Sequence, residues 1–184
     1  MRLASRLIAA AALCLPAAVA QAVQVSQVEI VGLDEEMEAN VRLALSIQDA
    51  VGRELTGRRL AHLVRVADDE TREALEPFGY YEPVVTVERT RGDAPVVVTV
   101  AVSPGAPVLV REARVAITGD GGDDRYLREE LAAFEPSVGE VFDHRLYEAS
   151  KAKLTRRLAE RGYFDADFTS RRVEVTRAAQ AADI

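Results

Sequence analysis

The side chains in this sequence best suited to acid–base catalysis are two histidines, His62 and His144. His144 follows Asp143, and an Asp-His pair could act as an oriented base beside a nucleophile. No serine or cysteine stands in a recognisable nucleophile turn, and neighbouring residues in the first turn of a helix point in different directions. We therefore expect both histidines to be solvent-exposed and to have no catalytic role.

Two acidic segments, residues 68–70 and 119–124, could in principle bind a cation such as calcium. The second lacks the spaced ligands and the terminal Glu of an EF-hand loop, and no Lys-Ser or Lys-Thr follows it to make a phosphate loop. Glu129 and Glu130 are adjacent on a predicted helix, so their carboxylates point apart. The sequence therefore predicts a flexible turn and a helix cap, without a catalytic residue, a metal site or a cofactor site.

The N-terminus has the pattern of a secretory signal peptide. Two arginines precede an apolar run over residues 7–19, which ends in small residues. This pattern predicts a signal peptide over residues 1–22, cleaved between Ala20 and Gln21 or before Val23. The alternative is an uncleaved anchor, as in a single-span division protein, but the run is shorter than the roughly 20 apolar residues that span a bilayer.

The composition fits an exported protein. The single cysteine, Cys14, lies inside the apolar run, so the processed chain would have neither disulfides nor thiolate chemistry. Removing two of the 23 Lys and Arg residues with the signal peptide leaves 21 against 30 Asp and Glu, a formal charge of −9. An acidic surface without basic clusters argues against binding to nucleic acid or to anionic lipid.

After the signal peptide, the pattern predicts a strand, two helices and two further strands. Apolar residues alternate over 23–30, with one shift of the inward face at a bulge. Asp34 can cap a first helix, and apolar residues recur at spacings of three and four over 60–78 in a second. Two strands, Val84–Arg89 and 96–102, then follow across a short Arg-Gly-Asp turn typical of a hairpin.

The same order begins again after a short Ser-Pro-Gly linker. Residues 108–117 alternate as a strand, and Asp123 or Asp124 can cap a short helix. Asp143 can cap a longer helix, and a final extended run covers residues 168–175. The second half of the chain therefore repeats the architecture of the first.

The two halves are also similar in sequence at a constant offset of 83 residues. The similarity is clearest where the long helices end, from Leu75 in the first half and from Leu158 in the second. A period of this length is that of a small domain. The prediction is α+β: tandem β-α-α-β-β modules over 23–103 and 104–184, each with two helices on one face of a mixed three-stranded sheet. The second would be truncated, with its last strand incomplete at Ile184.

These features resemble tandem polypeptide-transport-associated (POTRA) domains, and among them those at the front of the TamA-like family. The resemblance rests on order, spacing and the repeat together, over about residues 23–184. The residues that carry it are Gly79-Tyr80-Tyr81, Arg161-Gly162-Tyr163-Phe164-Asp165-Ala166, Phe142-Asp143 ahead of Leu146-Tyr147, and the strand-closing Gly32 and Gly119.

The resemblance implies a role in protein transport. TamA-like proteins carry three such domains in the periplasm, followed by an outer-membrane β-barrel, and help autotransporters to enter the outer membrane. The implied partners are a TamB-like inner-membrane-anchored protein and unfolded outer-membrane protein clients, without nucleic acid or a small-molecule substrate. This sequence reaches Ile184 without a third module or a barrel, which predicts a fragment or a truncated reading frame.

The mechanism expected from these elements is backbone pairing. Outer strands of a sheet carry unpaired backbone groups, beside which an extended client segment can add. The candidate client-binding residues are Val84, Val85, Thr86, Val87, Glu88 and Arg89 in the first module, and Phe168, Thr169, Ser170, Arg171, Arg172 and Val173 in the second. The alternative is that the charged residues of these edges blunt them, so that they bind nothing.

Further alternatives concern the aromatic residues and the function. Two aromatic clusters either seal the helix ends against the sheets or leave one member of each exposed for recognition. These clusters are Phe78, Tyr80 and Tyr81, and Tyr163, Phe164 and Phe168. The alternative functions are the POTRA region of a Bam-complex subunit or of a two-partner secretion transporter and, in another class, a small periplasmic hydrolase or metal-binding enzyme.

Overall fold

The structure is a computed structural model that describes residues 22–90 and 95–184. The predicted cleavage site at Ala20 and Gln21 and the predicted turn at residues 91–93 lie outside the described residues. Within the described parts, the chain forms two separate mixed sheets, each with its own helices and its own hydrophobic cluster. The α+β class and the mixed sheets predicted from the sequence are confirmed.

The first unit is built on a four-stranded sheet. Its elements are β1 (Ala22–Val31), α1 (Glu35–Ala44), β2 (Glu54–Thr56), α2 (Gly57–Leu75), β3 (Val84–Arg89) and β4 (Val96–Ser103). The strand order in the sheet is β2-β1-β4-β3. β1 is parallel to β4, and β3 is antiparallel to β4. The prediction of three strands missed β2, which pairs with the start of β1. Three residues are too few to show an alternating pattern.

Alternation along β4 explains why the helices cover one face of this sheet. Val96, Val98, Val100 and Val102 are buried, and the residues between them are only partly buried. The apolar stripe of α2 packs on the buried face, as its spacing predicts. The predicted bulge in β1 is confirmed by a register shift after Val25.

The second unit has a three-stranded sheet. Its elements are β5 (Leu109–Glu112), α3 (Arg125–Ala132), α4 (His144–Glu160), β6 (Glu174–Thr176) and β7 (Ala181–Asp183). The strand order in this sheet is β5-β7-β6. Asp124 and Asp143 cap α3 and α4, as predicted. Both predicted strands, 108–117 and 168–175, are wrong in extent.

The last strands of the second unit are shorter than the sequence predicts. β6 pairs with β7 over three residues, with Glu174 opposite Asp183 and Thr176 opposite Ala181. Residues 168–173 form no strand in the structure. The prediction of an edge strand is therefore wrong for Phe168, Thr169, Ser170, Arg171, Arg172 and Val173.

The two units meet at the end of α2. A turn over Glu76–Phe78 leads into Gly79, which has a φ of +86°. The Gly79 carbonyl oxygen accepts a hydrogen bond of 2.8 Å from the backbone N–H of Val108. A Cβ atom on Gly79 would lie 2.8 Å from the carbonyl oxygen of Phe142. Glycine is therefore required here both by the left-handed backbone and by the close approach of the second unit.

Two arginines of the second unit reinforce this junction. The guanidinium carbon of Arg145 lies 3.8 Å from the centroid of the Phe78 ring, and the same side chain pairs with Glu36. Arg177 forms an ion pair of 2.9 Å with Glu76. A cation stacked on a buried ring and paired with a carboxylate gains from both contacts. The units are thus joined by packing and charge as well as by the linker.

A buried carboxylate holds α3 against α4. The side chain of Glu130 is 8% exposed and lies 2.5 Å from the Lys153 ammonium and 3.5 Å from the Arg157 guanidinium. The hydrogen bond from Lys153 lowers the pKa of Glu130, and this effect outweighs burial, which raises it. Glu130 is therefore charged in the folded chain at neutral pH.

Replacing Gly79 with alanine should weaken the junction. A left-handed backbone costs an alanine about 1–2 kcal/mol, and overpacking adds about 1–3 kcal/mol more. Gly162 is the matched control, because it has a φ of +90° but nothing within 4 Å of a built Cβ. Urea unfolding should show a larger loss of the free energy of unfolding for Gly79→Ala than for Gly162→Ala. Equal losses would contradict the close approach at Gly79.

Acid should destabilise the second unit through Glu130. A carboxyl whose folded pKa is lowered stabilises the fold above its ordinary unfolded pKa, and this contribution is lost as pH falls through the folded value. Between pH 7 and pH 3, Glu130→Gln should therefore lose less stability than the parent chain. Glu129→Gln is the control, because Glu129 is 66% exposed and lies 3.7 Å from Arg125. In chemical denaturation, the free energy of unfolding of Glu129→Gln should change with pH as that of the parent chain does.

Candidate peptide-binding edge

The structure places β3 at one side of the first sheet, as the sequence predicts. β3 pairs with β4 along its whole length, and within the described residues no strand pairs with its other side. The predicted bounds of this strand, Val84–Arg89, agree with the structure. An open backbone edge therefore exists where the first candidate segment was expected.

The pairing with β4 decides which backbone groups of β3 face outward. The N–H of Thr90 donates a hydrogen bond of 3.0 Å to the carbonyl oxygen of Val97. Along an antiparallel strand, residues alternate between bonding to the partner and pointing away from it. The N–H and C=O groups of Val85, Val87 and Arg89 therefore point to the open side. These three residues offer main-chain donors and acceptors to an added strand.

The side chains of β3 give this edge one apolar and one polar face. Val85 and Val87 are partly buried and pack against the core beneath the sheet. Val84 is 66% exposed on the opposite face, together with Thr86 and Glu88. A strand added beside β3 would therefore extend the apolar face with one set of alternating side chains and expose the other set.

A salt bridge on α2 anchors the start of β3. The Arg72 guanidinium makes two hydrogen bonds to Asp68, of 3.0 and 3.2 Å, and one of 2.5 Å to the carbonyl oxygen of Pro83. The hydrogen bond with Asp68 raises the pKa of Arg72, against a smaller opposing effect of burial. The start of the candidate edge is thereby tied to α2.

The second candidate segment does not supply an equivalent edge. The outer strand there is β6, only three residues long, and the predicted residues 168–173 precede it without pairing. Phe168 instead lies beneath cations, with the Lys151 ammonium 5.6 Å from its ring centroid. Among the outer strands of the described residues, β3 is therefore the longest, with six residues available to an extended peptide.

The candidate catalytic and cation-binding residues are not brought together. His62 is exposed and lies near Arg65, and His144 is half-exposed beside Glu148, which confirms the predicted exposure of both histidines. Among residues 22–90 and 95–184, no group of three or more His, Cys, Asp or Glu side chains could hold a metal ion. Asp124 of the glycine-rich loop caps α3 and pairs with Arg161 at 2.8 Å.

The aromatic clusters take different roles in the two units. Phe78 is buried, and Tyr81 packs against the cluster of the second unit, so the first cluster seals the junction. In the second unit Phe164 is 81% exposed, which fits the alternative of one exposed member. The sequence did not identify Arg145 as a junction residue. Arg145 lies two positions after the capping residue Asp143, but its contact with Phe78 could not be predicted because Phe78 is distant in the sequence.

No helix in the described part of the chain is both long enough and apolar enough to cross a bilayer.

Two solved structures of POTRA domains resemble this chain at low sequence identity. POTRA domains 3–5 of Haemophilus influenzae BamA are 19% identical, with a TM-score of 0.38, over 88% of this chain and 59% of that one. POTRA domains 1–2 of Omp85 from Anabaena are 21% identical, with a TM-score of 0.39, over 89% of this chain and 93% of that one. Values this low do not establish a shared function.

Two protein-family models match the chain. The one described as "POTRA domain TamA domain 1" matches residues 27–104. The POTRA model described as "Surface antigen variable number repeat" matches residues 110–184. Because the two matches together cover nearly all of the described residues, this chain belongs to the POTRA domain family.

Proposed function

We propose that this chain is the periplasmic scaffold portion of a TamA-like factor for assembly of outer-membrane proteins. Family membership and the predicted signal peptide support a position between the two membranes. The match of residues 27–104 to the first domain of TamA favours this function over the Bam-complex and two-partner secretion alternatives. The chain would act as a scaffold and not as an enzyme.

The scaffold would consist of two modules, residues 23–103 and 104–184. The two separate hydrophobic clusters support this division, since each sheet covers its own cluster. The contacts of Gly79, Arg145 and Arg177 across the junction would hold the modules in one orientation. A scaffold of this kind can present binding edges at a defined separation.

The observation that carries the mechanism is the open edge of β3. Val85, Val87 and Arg89 direct unpaired backbone groups outward from a strand that is anchored by Arg72. An extended segment can pair with such an edge whatever its side chains, because the hydrogen bonds come from the main chain. We infer that unfolded outer-membrane proteins, or a TamB-like partner, bind there by adding a strand.

Hydrogen exchange tests this mechanism residue by residue. An excess of a soluble peptide of alternating valine and threonine, with a lysine at each end, should slow exchange of the Val85, Val87 and Arg89 amides. Exchange at Val84, Thr86 and Glu88 should change little, because these amides already bond to β4. Uniform slowing along the strand, or none, would contradict strand addition.

A proline substitution supplies the matching mutational test. Val87→Pro removes one outward N–H, and a lost ladder hydrogen bond corresponds to about a 3- to 10-fold loss of affinity. Val87→Ala is the control, because it also reduces packing but keeps the N–H. Fluorescence anisotropy of the labelled peptide should show weaker binding to Val87→Pro than to Val87→Ala. If both variants bind alike, the edge of β3 is not the binding site.

A further inference from the structure

A group of exposed cationic side chains lies where α2 begins. We call this group the basic end, and it consists of Arg53, Arg58, Arg59, His62 and Arg65. Residues 51–66 contain a single acidic residue, Glu54. The basic end is therefore a local excess of positive charge in a chain whose formal net charge is −7.

The arginines of the basic end have no acidic partner. In the described part of the chain none of the four forms an ion pair, and the Arg65 guanidinium instead lies 3.3 Å from Nδ1 of His62. Elsewhere in the first unit, Arg42 pairs with Glu38 and Arg72 pairs with Asp68. The charges of the basic end are thus not neutralised within the fold.

Helix stability does not account for these cations. The N-terminus of a helix carries a partial positive charge, so carboxylates are favoured there and cations are favoured at the C-terminus. α1 follows this rule, with three glutamates in its first turn and Arg42 in its last. α2 has no acidic residue in its first turn, where Arg58 and Arg59 stand. A local rule broken in this way is typical of a functional surface.

The basic end acts through its side chains over a broad surface. The backbone there is already capped, since the hydroxyl of Thr56 accepts a hydrogen bond of 3.2 Å from the N–H of Arg59. Arg58, His62 and Arg65 follow one another at spacings of four and three and so lie along one face of α2. They extend over roughly 10 Å of helix. Cations spread over such a distance suit several separate anionic groups.

The basic end has no apolar anchor. Protein interfaces are usually centred on buried aromatic or apolar side chains. Among the described residues, none of the exposed large apolar side chains lies between positions 51 and 66. A partner that presents dispersed negative charge and needs no anchor, such as the headgroup layer of an anionic bilayer, fits this surface better than a protein does.

We propose that the basic end binds the surface of an anionic bilayer through lipid phosphate groups. Arginine suits this role because its planar guanidinium binds phosphate oxygens in pairs. The composition favours the opposite expectation, but net charge averages over both units and conceals a local excess. The inference is independent of strand addition at β3 and of the proposed function.

Binding at the basic end would also orient the chain. The basic end and the junction at Gly79 lie at opposite ends of α2, whose 19 residues extend over about 28 Å. The middle of α2 carries Asp68, Asp69 and Glu70, which an anionic surface would repel. α2 would therefore stand away from the bilayer, with the second unit held at a distance from it.

Cosedimentation with vesicles tests the inference. The chain is used without residues 1–20, because their apolar run would itself enter a bilayer. Vesicles of phosphatidylcholine with about one third phosphatidylglycerol should pellet the chain, and phosphatidylcholine alone should not. Binding should fall at least about fivefold between about 0.05 M and about 0.5 M salt, because salt screens exposed charges. Equal pelleting by both kinds of vesicle would overturn the inference.

Single substitutions locate the site. Arg58→Gln and Arg59→Gln should each weaken binding to the anionic vesicles about fivefold, since each loses one surface cation. Arg156→Gln is the matched control, because Arg156 is an exposed arginine of α4 that has no ion pair among the described residues. It should change binding less than about twofold. An equal loss in all three variants would reflect net charge alone and would refute a site at the basic end.

Thermal unfolding separates loss of binding from loss of folding. Arg58→Gln should melt at or above the temperature of the parent chain, because it removes a cation from the first turn of a helix. A lower melting temperature would show that Arg58 supports the fold, and its assignment to the bilayer would be wrong.

A polyglutamate peptide tests the other class of partner, an acidic protein segment. Fluorescence anisotropy of the labelled peptide should show little binding under the salt conditions in which the anionic vesicles bind. If the peptide binds, is weakened by Arg58→Gln, and the vesicles do not bind, the basic end recognises acidic protein and the bilayer inference fails.

Discussion

Pairing of a central strand on both sides holds each sheet together. β4 is parallel to β1 over residues 96–101 and antiparallel to β3 over residues 98–103. β7 likewise has a parallel neighbour, β5, and an antiparallel neighbour, β6. The same arrangement of neighbours around a central strand therefore organises both units.

The junction between the two units depends on glycine at position 79. Comparison with Gly162, the equivalent position of the second unit, separates two reasons for this requirement. Gly79 and Gly162 end equivalent helices with nearly the same positive φ, so the left-handed stop belongs to the helix end itself. Only Gly79 is approached closely by another part of the chain. A side chain is excluded at Gly79 because the second unit packs against it. Beside it, Arg145 stacks on the ring of Phe78, and Arg177 forms an ion pair with Glu76. The same local sequence thus serves as a helix stop in both units and as a joint in one.

Local features could be predicted from the sequence, and features that depend on register could not. The caps at Asp34, Asp124 and Asp143 and the bounds of β3 follow from residue type and spacing within a few positions. The short strand β2 and the unpaired segment at residues 168–173 depend on what lies opposite them in space. For the candidate edge, the sequence predicted the strand but not which of its backbone groups pair with β4 and which face outward. Only the bond from Thr90 to Val97 shows that Val85, Val87 and Arg89 face outward.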